Sequence, residues 1–191
     1  MDLPETAAEL TTYIEDRFHA RHREQLPELR LIAAKVEAVH AESPYVPAGL
    51  ADLLADMIGE LEVHMKKEEL VLFPAIRQGH GAYMGHPIAA MRADHDDHLV
   101  VIRNIRSLTN DMTLPEHACG TWRRLYEGLD EFLADIKEHI RIENDILFQQ
   151  FDSEIETRPR SYASSPCMAH EFDDDDDGST VDMYNSARHL L

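Results

Sequence analysis

Apolar residues recur every three or four positions through most of the first 151 residues, which is the period of a helix that buries one face. In the first such stretch, over residues 5–41, they fall at Ile14, Phe18, Leu26, Leu29, Ala33, Val36 and Val39. Pro27 lies inside this stretch. Because proline removes a backbone hydrogen bond, we expect a kink at Pro27 or a break just before it.

Two further stripes follow. After a turn over residues 43–47, Pro47 opens a second helix. Its stripe is Leu50, Leu54, Met57, Leu61, His64, Glu68, Leu72 and Ile76. A glycine-rich loop over residues 79–86 leads to a third helix, which Pro87 opens. Its inner face is Ile88, Met91, His95, Leu99, Ile102 and Ile105.

A capping box at Thr113 and Glu116 predicts the start of a fourth helix. Its stripe is Leu125, Leu129, Phe132, Ile136, His139, Glu143 and Ile146. Four amphipathic helices with short loops predict an all-α, up-down-up-down four-helix bundle over residues 1–151. From Asp152 the periodicity stops and an acidic run follows, so residues 152–191 are predicted to form a disordered tail.

Composition excludes several classes of function. The net charge of −19 disfavours nucleic acid and anionic membrane surfaces as partners. No apolar run is long enough to span a membrane, and the acidic N-terminus does not have the features of a secretory signal. Two cysteines, Cys119 and Cys167, do not make a disulfide framework. We therefore expect a cytoplasmic protein.

An internal repeat carries the first candidate chemistry. His64 and Glu68, and 75 residues later His139 and Glu143, each begin the pattern H-x3-E-x3-L-F. Residues four apart share a helix face. A single pair of this kind is more often a surface contact, but both pairs lie on apolar stripes. Because an unpaired buried carboxylate costs several kcal/mol, two buried pairs indicate a metal site.

Other histidines fall in phase with the same stripes. His95 follows the inner face of the third helix, and His40 follows that of the first. Either His19 or His22 is the second ligand from the first helix; we favour His19, because 21 residues, close to six turns, separate it from His40. The candidate ligand set is His19, His40, His64, Glu68, His95, His139 and Glu143.

Mixed nitrogen and carboxylate ligands at a two-metal site favour non-haem iron, with manganese or zinc as alternatives. If both glutamates bridge and one oxo or hydroxo group joins the ions, five histidines leave one position of two six-coordinate ions free. One ion would then carry three histidines and the other two. The free position is where dioxygen or nitric oxide would bind. Cys119, near Trp122, is not on an inward stripe. It could serve as a thiol contact, but we favour a buried structural cysteine.

Several stretches also carry a family resemblance: residues 19–29, 35–40, 60–74, 87–96, 118–122 and 138–144. They resemble the hemerythrin-like family, and within it the di-iron proteins called RIC, for repair of iron centres. The resemblance implies that the seven candidate residues are ligands and that Glu68 and Glu143 are the bridging carboxylates. It further implies repair or protection of iron–sulfur proteins under oxidative or nitrosative stress, with damaged iron–sulfur proteins as partners.

The sequence also departs from this family. RIC proteins usually begin with a short Cys-containing domain, to which the resemblance does not extend, and the tail is not a family feature. Oxygen-carrying hemerythrins have a second histidine four residues along helix three and an aspartate on helix four, where this chain has His98 at a spacing of three and Glu143. Three alternatives stay open: a dioxygen or nitric oxide sensor or store, a nitric oxide reductase or di-iron oxidase, and a bundle without metal.

Overall fold

The computed structural model describes residues 3–80 and 84–156, and in this part of the chain every regular element is helical. The first rod comprises α1 (Ala7–Ile14), a π-helical turn π1 (Glu15–His19) and α2 (Ala20–Val39). The second comprises α3 (Leu50–Lys67), π2 (Glu68–Leu72) and α4 (Phe73–Arg77). The third is α5 (Gly85–Leu108), and the fourth comprises α6 (Gly120–Ile142), π3 (Glu143–Leu147) and α7 (Gln149–Glu156). The predicted all-α four-helix bundle is confirmed.

The first rod runs through Pro27 without interruption, so the predicted break before this residue is wrong. Pro27 lies on the exposed face of α2. There water can bond the carbonyl that the missing proline N–H leaves free, which reduces the cost of proline inside a helix. The irregular part of this rod is instead the π-helical turn π1, which begins twelve residues before Pro27.

The fourth rod begins later than the capping box predicts. Its N-cap is Cys119, so the predicted start at Thr113–Glu116 is wrong. Asn110, Asp111 and Met112 all have positive φ, from 47° to 58°. Three successive left-handed residues turn the chain sharply, and residues 113–118 are then needed to lead it back to the bundle.

Helix α7 continues to Glu156, beyond the residue at which the periodicity fades. The predicted tail otherwise lies outside the described residues. No helix in the described ranges is both long and apolar enough to cross a membrane.

The apolar interior consists of two clusters of buried side chains. The larger, here called the upper cluster, includes Leu54, Trp122 and Phe132. The smaller, the lower cluster, includes Phe18 and Phe148. Along each of the four rods the chain passes from one cluster to the other, and at each crossing it carries buried histidine or glutamate. A polar layer therefore divides the core.

Candidate metal centre

The polar layer lies at the π-helical turns, where the helix is wider than an α-helix. His19 ends π1, Glu68 begins π2 and Glu143 begins π3. In π3 the N–H of Phe148 donates to the carbonyl of Glu143, five residues earlier, at 2.8 Å. Such π-helical turns are rare and occur often at functional sites. Each begins or ends here at a residue that the sequence identifies as a ligand.

Six of the seven predicted ligands come together as two groups of four buried residues. One group is His19, Glu68, His139 and Glu143; the other is His64, Glu68, His95 and Glu143. Within each group the possible ligand atoms all lie within 4.8 Å of one another. Both glutamates belong to both groups, which is the arrangement expected of carboxylates that bridge two ions.

Glu143 contacts one histidine from each group through a different oxygen. Its Oε2 lies 3.0 Å from Nε2 of His95, and its Oε1 lies 3.0 Å from Nε2 of His139. Nitrogen and oxygen ligands bind zinc-like ions at about 2.0–2.2 Å, so two ligands of one ion lie roughly 3.0–3.5 Å apart. The spacing of these atoms therefore fits one ion on each side of the carboxylate.

Glu68 makes the corresponding contacts from the second rod. Its Oε2 lies 3.3 Å from Nε2 of His19 and 3.5 Å from Nε2 of His64. Nε2 of His64 also lies 3.2 Å from Nε2 of His95, so the two ring nitrogens of this group face each other. Facing nitrogens at this distance are explained by a shared cation.

Both glutamates are fully buried, and none of their four carboxylate oxygens has a hydrogen-bond partner among the described residues. The Nε2 atoms of His19 and His139 are likewise buried without a partner. Buried polar atoms in proteins are normally satisfied, and a buried carboxylate without a partner is especially costly. These orphaned atoms all face the same two positions, so the residues present fit a pair of metal ions.

The pKa values of the two glutamates are shifted in opposite directions. Burial, followed by the charge of Glu143, raises the pKa of Glu68 well above its usual range. Burial alone would also raise the pKa of Glu143, but His139 and His95 together hold it well below its usual range. Without a cation Glu68 thus holds a proton more tightly than Glu143 does, and a metal ion that binds Glu68 has to compete with that proton.

The histidines are prepared to ligate. Burial lowers the pKa of His19 to about 4 and that of His64 to about 3. A neutral imidazole presents a free lone pair on one nitrogen when the other nitrogen carries the proton. These two rings are therefore available as ligands at neutral pH without losing a proton.

Of the four histidines in the two groups, three have a hydrogen-bond partner on the ring nitrogen that faces away from the centre. Nδ1 of His19 lies 2.8 Å from Glu69, and Nδ1 of His64 lies 3.2 Å from Asp94. Nδ1 of His95 lies 3.0 Å from Oδ1 of Asn144. Such partners fix the tautomer and orientation of metal-binding histidines. The sequence analysis did not identify them, although each immediately precedes or follows a ligand in the chain.

The structure does not bring His40 into the centre, and its prediction as a ligand is corrected. Its Nε2 lies 3.2 Å from Sγ of Cys119, and its ring lies 4.9 Å from that of Trp122. The 21 residues that separate His40 from His19 correspond to about 31 Å along a helix. The two residues therefore lie on the same face of the rod but at different heights along its axis.

Two further histidines are buried beside the centre without joining either group. The ring of His22 lies 5.4 Å from that of His139, and the ring of His98 lies 5.0 Å from that of His64. Burial lowers the pKa of His22 to about 2 and that of His98 to about 4, so both are neutral. Of the two first-rod alternatives, His19 is the one grouped with the glutamates.

Comparison with known proteins agrees with this geometry. Residues 10–151 match the hemerythrin HHE cation binding domain. The chain is 50% identical over 141 residues to an iron-sulfur cluster repair protein YtfE of Pectobacterium atrosepticum, a match that covers 74% of this chain and 64% of that protein. A protein of the same name from Yersinia pseudotuberculosis is 50% identical over 139 residues, covering 73% and 63%. One from Citrobacter koseri is 49% identical over 141 residues, covering 74% and 64%.

Proposed function

Since the chain belongs to the hemerythrin HHE cation-binding domain family, we propose that it holds two non-haem iron ions and serves in the repair of iron–sulfur clusters. One observation carries the first half of this proposal. Glu68 and Glu143 are fully buried, have no hydrogen-bond partner, and each belongs to both groups of possible ligands. Two cations between them would satisfy both carboxylates.

The donor set supports iron as the metal. Each group offers two imidazole nitrogens and two carboxylates, a mixture that suits non-haem iron better than the all-oxygen sites of calcium or magnesium. Iron bound here would supply reversible redox chemistry and an ion that can be passed to a damaged cluster. The residues of this chain supply what surrounds it: four imidazoles, two shared carboxylates and the outer partners Glu69, Asp94 and Asn144.

The relatives support the second half of the proposal. Several proteins about 50% identical to this chain are named iron-sulfur cluster repair proteins. The match spans less than two thirds of the length of these relatives. Repair of damaged iron–sulfur proteins is therefore proposed for this chain on the strength of the shared domain and its site.

The corrected ligand set changes the coordination count. With His40 outside the centre, each ion would have two histidines, so two six-coordinate ions would keep one free position each instead of one in total. We include a diatomic molecule, dioxygen or nitric oxide, as a ligand in the proposal. Each of the two ions would then be able to bind one diatomic molecule.

The test begins with metal analysis of the protein purified under reducing conditions. We expect about two irons per chain. The protein loaded with ⁵⁷Fe is then incubated with an enzyme whose [4Fe–4S] cluster has been damaged by peroxide. Recovery of activity together with ⁵⁷Fe in the rebuilt cluster supports repair.

Two other outcomes would overturn parts of the proposal. A chain that retains no iron would contradict the di-iron site. A chain that holds two irons and binds dioxygen reversibly, yet never transfers ⁵⁷Fe, would be a sensor or a store instead.

A further inference from the structure

The two ion positions differ in how their histidines are supported from outside. In the group of His64 and His95, both Nδ1 atoms have a partner, a carboxylate and an amide oxygen respectively. In the group of His19 and His139, only His19 has one. Nδ1 of His139 is buried and has no partner among the described residues. One of the four grouped rings, which stacks on Phe18, therefore has no described hydrogen-bond partner at Nδ1.

His22 is the polar side chain beside this unsupported ring. It is completely buried, its ring lies 5.4 Å from that of His139, and the two planes are inclined by 36°. Neither ring nitrogen of His22 has a hydrogen-bond partner among the described residues. With Nδ1 and Nε2 of His139, four buried nitrogen atoms that lack such partners occur on two adjacent rings. Buried polar atoms of this kind normally satisfy one another, directly or through a water molecule.

The surroundings of His22 leave it neutral. Phe18 and Phe132 pack against its ring, at centroid distances of 6.2 and 5.4 Å. Its other neighbours include Leu26, Leu61 and Met65, which line a cavity of about 250 Å³ beside it. A neutral imidazole has one donor and one acceptor nitrogen. It can accept the Nδ1–H of His139, and the cavity gives the ring room to turn.

We propose that His22 is the positioning residue of His139, accepting its Nδ1–H directly or through one water, and that the ion held by His19 and His139 is the weaker-bound of the two. The inference rests on the proposed di-iron function. Nδ1 of His64 and Nδ1 of His95 each have a direct partner. The contact of His139 with His22 needs a turn of the ring or a bridging water, so His139 is the less firmly oriented ligand. The group that depends on His22 is therefore the one from which iron leaves first.

The proposal assigns the iron for repair to one side of the centre. Loss of that ion leaves the other ion with its full set of histidines and outer partners. The two glutamates stay in place through their contacts with His64 and His95. The centre can then give up one ion and keep the other.

The variants His22→Leu, His22→Gln and His98→Leu test this proposal. His22→Leu removes the acceptor, whereas His22→Gln retains one, as Asn144 does for His95. His98 is the matched control, because it is also buried with an unpartnered nitrogen but lies beside His64, which already has Asp94. Each protein is titrated anaerobically with Fe(II) against a competing chelator.

The wild type should bind two Fe(II) ions in two unequal steps. His22→Leu should weaken the weaker step by about 10–100-fold and leave the other unchanged. His22→Gln should restore it to within a few-fold of the wild type, and His98→Leu should change neither step. Equal binding by His22→Leu and the wild type, or the same loss in His98→Leu, would overturn the proposal.

NMR of ¹⁵N-histidine identifies which ion binds first. With one equivalent of Co(II), the paramagnetically shifted ring N–H signals should come from His64 and His95, and signals from His19 should appear with the second equivalent. The reverse order would refute the assignment. A wild-type chain that binds no iron at all would instead refute the proposed function, so the two failures are distinguishable.

Discussion

The polar layer and the upper end of the same bundle use histidine in opposite ways. In the layer, four histidines from four rods point at shared carboxylates whose oxygens have no other partner. At the upper end, His40 is half-buried, its ring is tilted against that of Trp122, and its Nε2 contacts the thiol of Cys119. Both regions follow the helical period equally well. A histidine on an inner face therefore becomes a ligand only when other rods place donors at the same level.

The two regions also differ in what they contribute to stability. The polar layer buries two glutamates whose desolvation is offset only by nearby histidines and by bound metal. The upper cluster gains free energy from apolar burial around Trp122, which is completely buried. Substitutions in the layer should therefore remove function with little cost in folding, and substitutions in the upper cluster should do the reverse.

The largest effect is expected for Glu68→Leu or Glu143→Leu. Each glutamate belongs to both groups of possible ligands, so we expect either substitution to abolish binding of both ions, while helicity measured by circular dichroism stays unchanged. The metal-free variants should be as stable as the wild type or more stable by ~1–4 kcal/mol in urea unfolding, because a buried charge is removed.

The control for this pair is Glu138→Leu. Glu138 is 47% exposed and pairs with Arg141 on the surface. It should retain about two irons. A Glu68 or Glu143 variant that also retained both ions would show that the bridging assignment is wrong.

Trp122→Ala should have the opposite signature. Removing this side chain from the upper cluster should destabilise the fold by ~3–5 kcal/mol. The iron content of the protein that remains folded should not change, because Trp122 lies in the upper cluster and about 25 Å along α6 from His139. Tyr45→Ala, at a ring that is 63% exposed, is the control and should cost far less. Equal destabilisation by both would remove the contrast between the regions.

An intermediate effect is expected for the outer partners of the ligands. Glu69→Gln takes a carboxylate from Nδ1 of His19 and should weaken iron binding by roughly 10–100-fold in chelator competition. Glu62→Gln is a matched control, because Glu62 pairs with the same Arg23 but contacts no ligand. If both variants lost affinity equally, the Arg23 network would matter in place of the histidine contact.

The smallest effect is at the upper end. The contact with His40 lowers the pKa of Cys119 to about 7, so its thiolate is abundant from about pH 7 upward. In a Cys167→Ser background, the rate of alkylation by iodoacetamide should rise with a midpoint near this value. His40→Ala should move the midpoint up towards the ordinary thiol range, near 8.5. The iron content should be unaffected. A loss of iron would show that His40 is a ligand of the metal centre.

Periodicity allowed much of this architecture to be predicted. The apolar stripes predicted four rods and placed His64, Glu68, His139 and Glu143 on inner faces, where the structure has them. The same reasoning failed for His40, because a stripe indicates the face of a helix but not the level at which a partner rod meets it. The capping box failed at Thr113 because Asn110, Asp111 and Met112 form a left-handed turn just before it. Asn and Asp favour that conformation, and the capping pattern takes no account of it.

The orienting contacts of the ligands could not have been predicted in the same way. Glu69, Asp94 and Asn144 are short-range neighbours of ligands in sequence, but polar residues of these types are common on exposed helix faces. Their role depends on which way each ligand ring turns, and that depends on packing between rods. The π-helical turns also could not be predicted from the apolar stripes, because one extra residue in a helical turn does not change the composition.

Each π-helical turn works as an offset between two registers of one rod. An extra residue rotates everything beyond it by about 100° relative to an unbroken α-helix. Residues before the turn in the second rod follow the upper cluster, and residues after it, such as Phe73 and Ile76, follow the lower one. Deleting one residue within Glu68–Leu72 would therefore rotate the lower segment of the rod relative to the upper one. The lower segment would no longer face the lower cluster, while the upper segment would keep its packing in the upper cluster.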